Sequence, residues 1–413
     1  MKILIINQYA AAALFDKGGR HYDLPRHLAQ QGHEVAVVAA RWTHLVRDEK
    51  MAESAPAIQV VAGVTYHLID MPRYIHAHDK KRIVNWFLFA WKLRNFDRHL
   101  GFKPDVIVYS SPALPGYLGA EKLARRTGAK LIFEVRDIWP LSLMEIGGYS
   151  PKHPFVRFLQ WVEDRAYRMA DAVFSNLPMA DRHMVTRGMD AKKFHWIPNG
   201  IDVEQAMLAE PLSENIMKLI PVSGFKVAYT GTLGAANALD TLIDAMSFLK
   251  NETDIHLMIA GHGKEDTRLR ERAQALGLER ICFLGSILKR QVFSLLKLMD
   301  ATYVGTLPSS LYRFGVALNK LFDYGLAGKP IIYGVDSGDY RPVEEWRAGI
   351  SVPPGDAMAL AEAIRKLRDI SVCEREEMGK NAIDKTIALH DYKNIAVKMA
   401  EALEEVCKIP HHA

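Results

Sequence analysis

Uninterrupted apolar runs alternate with stretches of helical periodicity along nearly the whole chain. Ile3 to Ile6 is the first run, and the segments His33 to Ala39, Pro104 to Ser110, Lys130 to Val135 and Ala172 to Asn176 repeat it. Runs without polar alternation predict strands covered on both faces, as in a parallel sheet. Between them, Leu24 and Leu28 share a helical face closed by Gly32, and Gly116 to Thr127 and Phe155 to Met169 read as further helices. A second series follows: strands at Phe225 to Thr230, His256 to Ala260, Ile281 to Ser286, Thr302 to Val304 and Ile331 to Tyr333. Its helices are expected from about Ala238 to Leu249, Ala357 to Leu367 and Tyr392 to Cys407. This alternation predicts an α/β protein of two Rossmann-like, doubly wound domains. Pro198 and Gly200 interrupt regular structure between the two series, which places the boundary near Ile201.

Length agrees with two domains, because 413 residues exceed one ordinary core. Hydrophobic content of 49% and charged content of 24% are those of a soluble globular chain. No apolar run reaches the ~18 residues of a membrane span. The opening Met1 to Tyr9 turns polar too early for a signal peptide and reads as a first strand. Cys282, Cys373 and Cys407 lack metal spacing, which points to a reducing cytoplasm without disulfides or zinc. A net charge of +5 permits an anionic ligand or an anionic membrane surface.

One segment bears on that last point. From about Ile75 to Leu100 the pattern predicts a long helix in which Lys80-Lys81-Arg82 precede Trp86, Phe87, Phe89 and Trp91, followed by Lys92 and Arg94. Basic residues flanking an aromatic stretch suit a membrane interface. The competing reading is a sheet-covering helix whose broad apolar face is core.

Candidate chemistry lies at the carboxyl ends of the predicted strands, where parallel sheets bind ligands. Small residues collect there: Gly18-Gly19 after the first strand, Gly231-Thr232-Leu233-Gly234, Gly261-His262-Gly263 and Leu284-Gly285-Ser286. Glycines let backbone amides approach a phosphate closely. Arg136-Asp137-Ile138-Trp139-Pro140 is an uncommon strand ending, either a ligand contact or an ion pair that fixes its loop. The stretch Leu318 to Ile332 predicts a helix N-capped by Asn319, running from Lys320 to Ala327 and closed by Gly328 and Pro330. Free amides and Lys320 at such a helix start can face a diphosphate, and Asp323 one turn later can accept from ribose hydroxyls. The alternative is a capped surface helix with ordinary exposed charges.

Asp323 to Ile332, Asp-Tyr-Gly-Leu-Ala-Gly-Lys-Pro-Ile-Ile, resembles the Glu-Ala-Met-Ala-x-Gly-x-Pro-Val-Ile segment of retaining glycosyltransferases of family 4, which have the GT-B fold. Asn319 to Tyr324 and Glu134-x-Arg-Asp-x-Trp-Pro140 are similar to the branch that builds O-antigen and capsule, including N-acetyl-L-fucosaminyl transferases. Gly32-His33-Glu34-Val35 and Ile197-Pro198-Asn199-Gly200-Ile201-Asp202 extend the likeness over most of the chain. It implies two Rossmann-like domains facing each other across a cleft: an acceptor-side domain of residues 1–200, joined by a final helix of about 390–413 that crosses back, and a donor domain of 201–389.

The resemblance also implies site roles. Gly18, Gly19, Gly231, Thr232 and Leu233 lie by the donor phosphates, and Gly261, Leu284, Gly285 and Ser286 lie around the nucleoside. Leu318, Asn319, Lys320, Leu321 and Asp323 form the helix start that receives the donor. Asp137, Arg136 and Lys320 are the catalytic candidates. There are departures. Thr232 and Asn237 stand where many relatives carry Arg and Lys, so Lys320 and Arg313 are expected to supply the missing charge. Gly315 stands eight residues before Asp323, where relatives place a front Glu. No His accompanies Arg136. The implied activity is metal-independent transfer from a UDP-sugar, an N-acetylated deoxysugar, to a polyprenyl-diphosphate-linked acceptor at the inner-leaflet surface, with no nucleic acid partner. Two other readings compete. A non-hydrolysing sugar-nucleotide epimerase would draw on His262 and Asp137, and a non-catalytic sugar-nucleotide-binding protein would explain the departures.

Overall fold

A computed structural model of the chain describes residues 1–74 and 79–409. The described chain forms two compact units, one of residues 1–74, 79–199, 314–317 and 392–409, the other of 200–313 and 318–391.

The first unit is built on eight strands: β1 (Lys2–Ile6), β2 (Glu34–Ala40), β3 (Ile58–Val61), β4 (Val64–Ile69), β5 (Val106–Ser110), β6 (Lys130–Val135), β7 (Ala172–Ser175) and β8 (Phe194–Trp196). Their order is β3-β4-β2-β1-β5-β6-β7-β8. All neighbours are parallel except β3, which pairs antiparallel with β4 through a tight turn at Ala62-Gly63. Strand side chains divide between two cores. Leu4, Ile6, Ile107, Tyr109 and Phe133 face one side, with Phe89 and Tyr117. Ile3, Ile5, Val108 and Ile132 face the other, with Leu24 and Leu28. Helix Tyr392–Lys408 joins that second core through Ile395, Met399, Leu403 and Val406.

The second unit has six parallel strands: β9 (Phe225–Thr230), β10 (Ile255–Ala260), β11 (Ile281–Gly285), β12 (Ala301–Gly305), β13 (Ile331–Gly334) and β14 (Gly349–Ser351), ordered β11-β10-β9-β12-β13-β14. In each sheet the order reverses at the first strand of its unit, β1 and β9, and the crevice beyond such a strand's carboxyl end is where ligands bind.

Several expected elements differ in detail. The β3–β4 hairpin has no strong apolar run, since β3 carries Ile58 and Val60 toward solvent, and pattern alone does not reveal it. A short helix, Ala10–Asp16, precedes the Gly18-Gly19 loop. Helix Val372–His390 follows Ser371, whose side chain caps it. The aromatic helix spans Lys80–Leu93 and starts at Asp79, which accepts from the Lys81 amide; its expected beginning at Ile75 lies outside the described residues, as do His411, His412 and Ala413. No described helix is long and apolar enough to cross a membrane.

Candidate donor site and the polar centre of the first unit

In the second unit, three strand ends lie side by side: β9 and β10 give way to Gly231 and Gly261, and β11 ends on Gly285. Gly231 N donates to Ala260 O at 2.9 Å, and Gly261 N donates to Gly285 O at 2.8 Å. The packing is close enough to demand glycine at Gly261. A Cβ there would lie 1.8 Å from Gly231 O, and its φ is +146°. Leu233 is buried, while Gly231, Thr232 and Ser286 are exposed, so the loops present backbone to an open face.

Helix Asn319–Ala327 stands against this glycine floor. Its start differs by one residue from expectation: Leu318 occupies the N-cap position and Asn319 is the first helical residue. Leu318 has no side-chain oxygen, and no side-chain cap is formed among the described residues, which leaves the first amides available for an anion. Gly328 closes the helix in the left-handed conformation at φ +69°, as predicted.

Two residues one turn apart fasten the helix to β9. The Tyr324 hydroxyl accepts from Thr230 N at 2.7 Å. Lys320 Nζ donates to the Tyr229 hydroxyl at 3.0 Å and to Asn237 Oδ1 at 2.6 Å, and lies 4.4 Å from the centre of the Tyr229 ring. Asn237 Nδ2 and the Tyr229 hydroxyl both donate to Thr232 O, at 3.0 and 2.8 Å. Lys320 is thus held by neutral groups over the loop, with its Cε 3.6 Å from the position a Gly231 Cβ would take. Burial pushes its pKa down to about 8, against the opposing pull of Asp323. Burial likewise raises the Asp323 carboxyl to about 6, against Lys289 and Lys320.

Sequence reading did not single out Tyr229 or Lys289, and it treated Asn237 only as a missing cation. The available signal for Tyr229 was a hydroxyl-bearing residue at the end of an otherwise apolar strand. Arg313 lies in the turn Ser310–Phe314, where it donates to the Ser310 carbonyl.

In the first unit, the crevice beyond β1 holds a buried polar centre that sequence reading also missed. Glu134 Oε1 accepts from Arg20 Nε at 3.1 Å and from Nη2 at 2.7 Å, and Oε2 accepts from Ser110 Oγ at 2.5 Å. Arg20 Nη1 donates to Pro198 O at 2.5 Å. His21 Nε2 lies 3.1 Å from Ser110 Oγ. Asn7 Nδ2 donates to the carbonyls of Ser110 and Ser111 at 3.1 and 3.0 Å, which ties the end of β1 to the end of β5. Burial alone would raise the Glu134 carboxyl, but Arg20 and the hydrogen bonds from Arg20 and Ser110 hold it at about 2. Burial, then the nearby Arg136 cation, lower His21 to about 3, so the ring is neutral. A single carboxylate inside the apolar β6 run was the signal for this centre.

The predicted residues around it fare differently. Arg136 N donates to Ser111 Oγ at 3.0 Å, its Nε is buried without a partner among the described residues, and Asp137 is exposed. No Arg136–Asp137 ion pair is formed among the described residues. Trp139 is half-buried, edge-on to Trp86 at 5.7 Å. Gly19 takes φ +91° and opens helix Arg20–Gln30, but its amide donates to Asp23 Oδ2 at 2.7 Å. That carboxylate answers the helix start from within the chain, so Gly18-Gly19 is a poorer anion cradle than its spacing suggested. No group of His, Cys, Asp and Glu suited to a metal ion occurs among the described residues.

A Glycosyl transferase 4-like domain model matches residues 19–200, and a model of Glycosyl transferases group 1 matches 224–369. The two matches fall one on each unit, and with the two Rossmann-like sheets they go with the GT-B fold. D-rhamnosyltransferase WbpZ of Pseudomonas aeruginosa is 31% identical over 157 residues, 37% of this chain and 38% of that protein. Phosphatidyl-myo-inositol mannosyltransferase of Mycobacterium leprae is 25% identical over 225 residues, 54% of this chain and 56% of that one. The matched stretch thus spans between a third and three-fifths of these relatives' length. Among solved structures, sucrose-phosphate synthase from Thermosynechococcus elongatus has TM-score 0.74 at 17% identity, covering 98% of this chain and 99% of its own. Anabaena HepE in complex with UDP-glucose has TM-score 0.67 at 17% identity, covering 98% and 100%. At these identities the structures establish the fold.

Proposed function

We propose that the protein transfers a sugar from a UDP-sugar to a lipid-linked glycan, with retention at the anomeric carbon. The observation that carries the donor half is Lys320, poised over the Gly231 loop at an uncapped helix start. Transfer breaks the bond between the anomeric carbon and the phosphate oxygen. UDP leaves with the electron pair, the acceptor hydroxyl oxygen forms the new bond, and its proton is released. Negative charge grows on the leaving diphosphate, where the helix amides, the Gly231 loop and Lys320 stabilise it. Gly261, Leu284, Gly285 and Ser286 offer backbone to the nucleoside, and Asp323 accepts from the ribose. The first unit supplies the acceptor contacts, with Arg136 and Asp137 as their candidates.

UDP as the nucleotide draws support from HepE, solved with UDP-glucose. A lipid-linked acceptor at the cytoplasmic membrane face draws support from the phosphatidyl-myo-inositol mannosyltransferase likeness. An N-acetylated deoxysugar rests on the Asn319-to-Tyr324 and Arg136-to-Pro140 segments. Metal independence rests on Lys320 and the helix amides as the diphosphate's counter-charge. Calorimetric titration of UDP, GDP and ADP, each with and without EDTA, tests the donor reading. Tight UDP binding indifferent to EDTA is expected. Preference for GDP overturns the donor, and a requirement for a divalent cation overturns the metal-free mechanism. UDP release that depends on added acceptor separates transfer from simple binding.

A further inference from the structure

Helix Lys80–Leu93 covers the first sheet with Trp86, Phe89 and Leu93, all buried. Its opposite face is apolar as well. Val84 is 60% exposed, Phe87 44% and Trp91 64%, at a spacing of three and four residues that sets them in one stripe. Trp161, 50% exposed, extends it through Phe158, whose ring lies 5.4 Å from Phe87 and 6.1 Å from Trp161. The stripe has basic margins. Lys80 and Lys81 lie at one end of the helix, and Arg94 and Arg98 beyond the other; all four are exposed, and none is in an ion pair among the described residues. Asp97, the nearest carboxylate to Arg94 and Arg98 in sequence, is paired with Arg126 at 2.9 Å, with Arg98 a weaker neighbour of the same carboxylate.

Beside Trp91 a cavity of about 550 Å³ opens between the helix end and the β3–β4 edge. Ile58, Leu68, Ile69 and Phe96 contribute its apolar wall, and Arg94, Arg98 and His99 its polar lining. An apolar hollow edged by cations and continuous with an exposed aromatic stripe matches one ligand chemistry: a hydrocarbon chain attached to an anionic head. Isolated exposed apolar residues need no explanation, but a contiguous stripe with an adjoining hollow does.

We propose that this face docks on a bilayer of anionic phospholipid, with Val84, Phe87, Trp91 and Trp161 entering the interface and the cavity by Trp91 taking one lipid acyl chain whose phosphate meets Arg94 and Arg98. Aromatic side chains settle at the headgroup level, and each nearby cation adds electrostatic attraction. The proposal rests on the reading of a lipid-linked acceptor, for which it names the surface partner.

Co-sedimentation of the full chain with vesicles of phosphatidylcholine alone, and with phosphatidylglycerol added, tests it. Binding only to the anionic vesicles is expected, and Arg94→Glu with Arg98→Glu should lower partitioning by about tenfold or more. Trp91→Ala should weaken binding several-fold, and Ile58→Trp, which narrows the cavity from an exposed edge strand, should weaken it without changing charge. Equal binding to both vesicle types, or charge-reversed protein that binds like the parent, overturns the proposal. Unimpaired binding by Ile58→Trp overturns the chain-seating half of it. Failure to bind either vesicle overturns the whole and assigns the stripe to a protein partner. UDP titration of the same variants keeps the two readings apart, because vesicle binding can fail while UDP binding stays intact, and the reverse.

Discussion

On the proposed reading, Lys320 supplies the cation that meets the donor diphosphate. It is held by the Asn237 carboxamide and the Tyr229 hydroxyl rather than by a carboxylate, so it reaches a diphosphate without first breaking an ion pair. A charge-assisted contact of this kind contributes about 1.5–3 kcal/mol, so Lys320→Ala should weaken UDP binding roughly tenfold to a hundredfold by calorimetry. The lowered pKa adds a pH signature. Only the ammonium attracts phosphate, so UDP affinity should fall as pH rises through about 8, and Lys320→Arg should abolish that fall. Stability runs the opposite way. The unfolded chain binds more protons than the native one between about 8 and the ordinary lysine value, so this group makes the protein more stable as pH rises through that window. Asn237→Ala removes one of the two side-chain anchors and should weaken UDP binding less than Lys320→Ala. The polar centre of the first unit makes a separate prediction. Glu134 is held at about 2, below its unfolded value, so its stabilisation is full above about 4.5 and is lost as pH falls toward 2. Glu134→Gln leaves Arg20 buried without its counter-charge and should cost about 3–5 kcal/mol by denaturant titration.

At the scale of elements, helix Asn319–Ala327 owes its placement to contacts on two sides. Tyr324 ties it to Thr230 at the end of β9. On the other side it crosses helix Val372–His390 so closely that a Cβ on Gly325 would lie 2.1 Å from Thr386 Oγ1. Gly325→Ala should therefore destabilise the second unit by about 1–3 kcal/mol through overpacking. Adding Thr386→Ala, which removes the offending atom, should restore much of the loss in a thermal melt. Gly261→Ala is a harsher change, since strain at φ +146° adds to the clash with Gly231 O, and a loss above about 4 kcal/mol is expected. These elements also show what sequence makes legible. The apolar runs of β1, β2, β5, β6, β9 and β10 announced themselves because a strand buried on both faces has no polar alternation to obscure it. The Gly328 stop and the Lys320–Asp323 spacing were legible because caps and helical turns are local. The Lys320–Asn237–Tyr229 contact and the Arg20–Glu134–Ser110 centre were not, because each joins residues 83–91 or 24–114 positions apart and exists only after the sheet assembles. Asn319 was misplaced by one residue for a related reason: its side chain is a good cap, but the backbone enters the helix at Leu318.

At the scale of the molecule, the chain order of the units is itself testable. Helix Tyr392–Lys408 is the last described helix, yet it belongs with residues 1–199 rather than with the unit that precedes it. Its apolar face of Ile395, Met399, Leu403 and Val406 is almost wholly withdrawn from water in the core with Leu24 and Leu28. Each such side chain contributes roughly 1.5–3 kcal/mol as an upper estimate, so the four together amount to about 6–12 kcal/mol. The net stability of a whole domain is only about 5–15 kcal/mol. Ending the chain after Asp391 should therefore unfold or nearly unfold the first unit while leaving the second with its sheet and its Gly231–Lys320 site complete. Calorimetry should then lose one unfolding transition and keep another, and the shortened protein should still titrate with UDP. A shortened chain that retained both transitions would mean that the helix contributes little to the core it fills. One that lost UDP binding together with the first transition would mean that the donor site depends on more than the residues of its own unit.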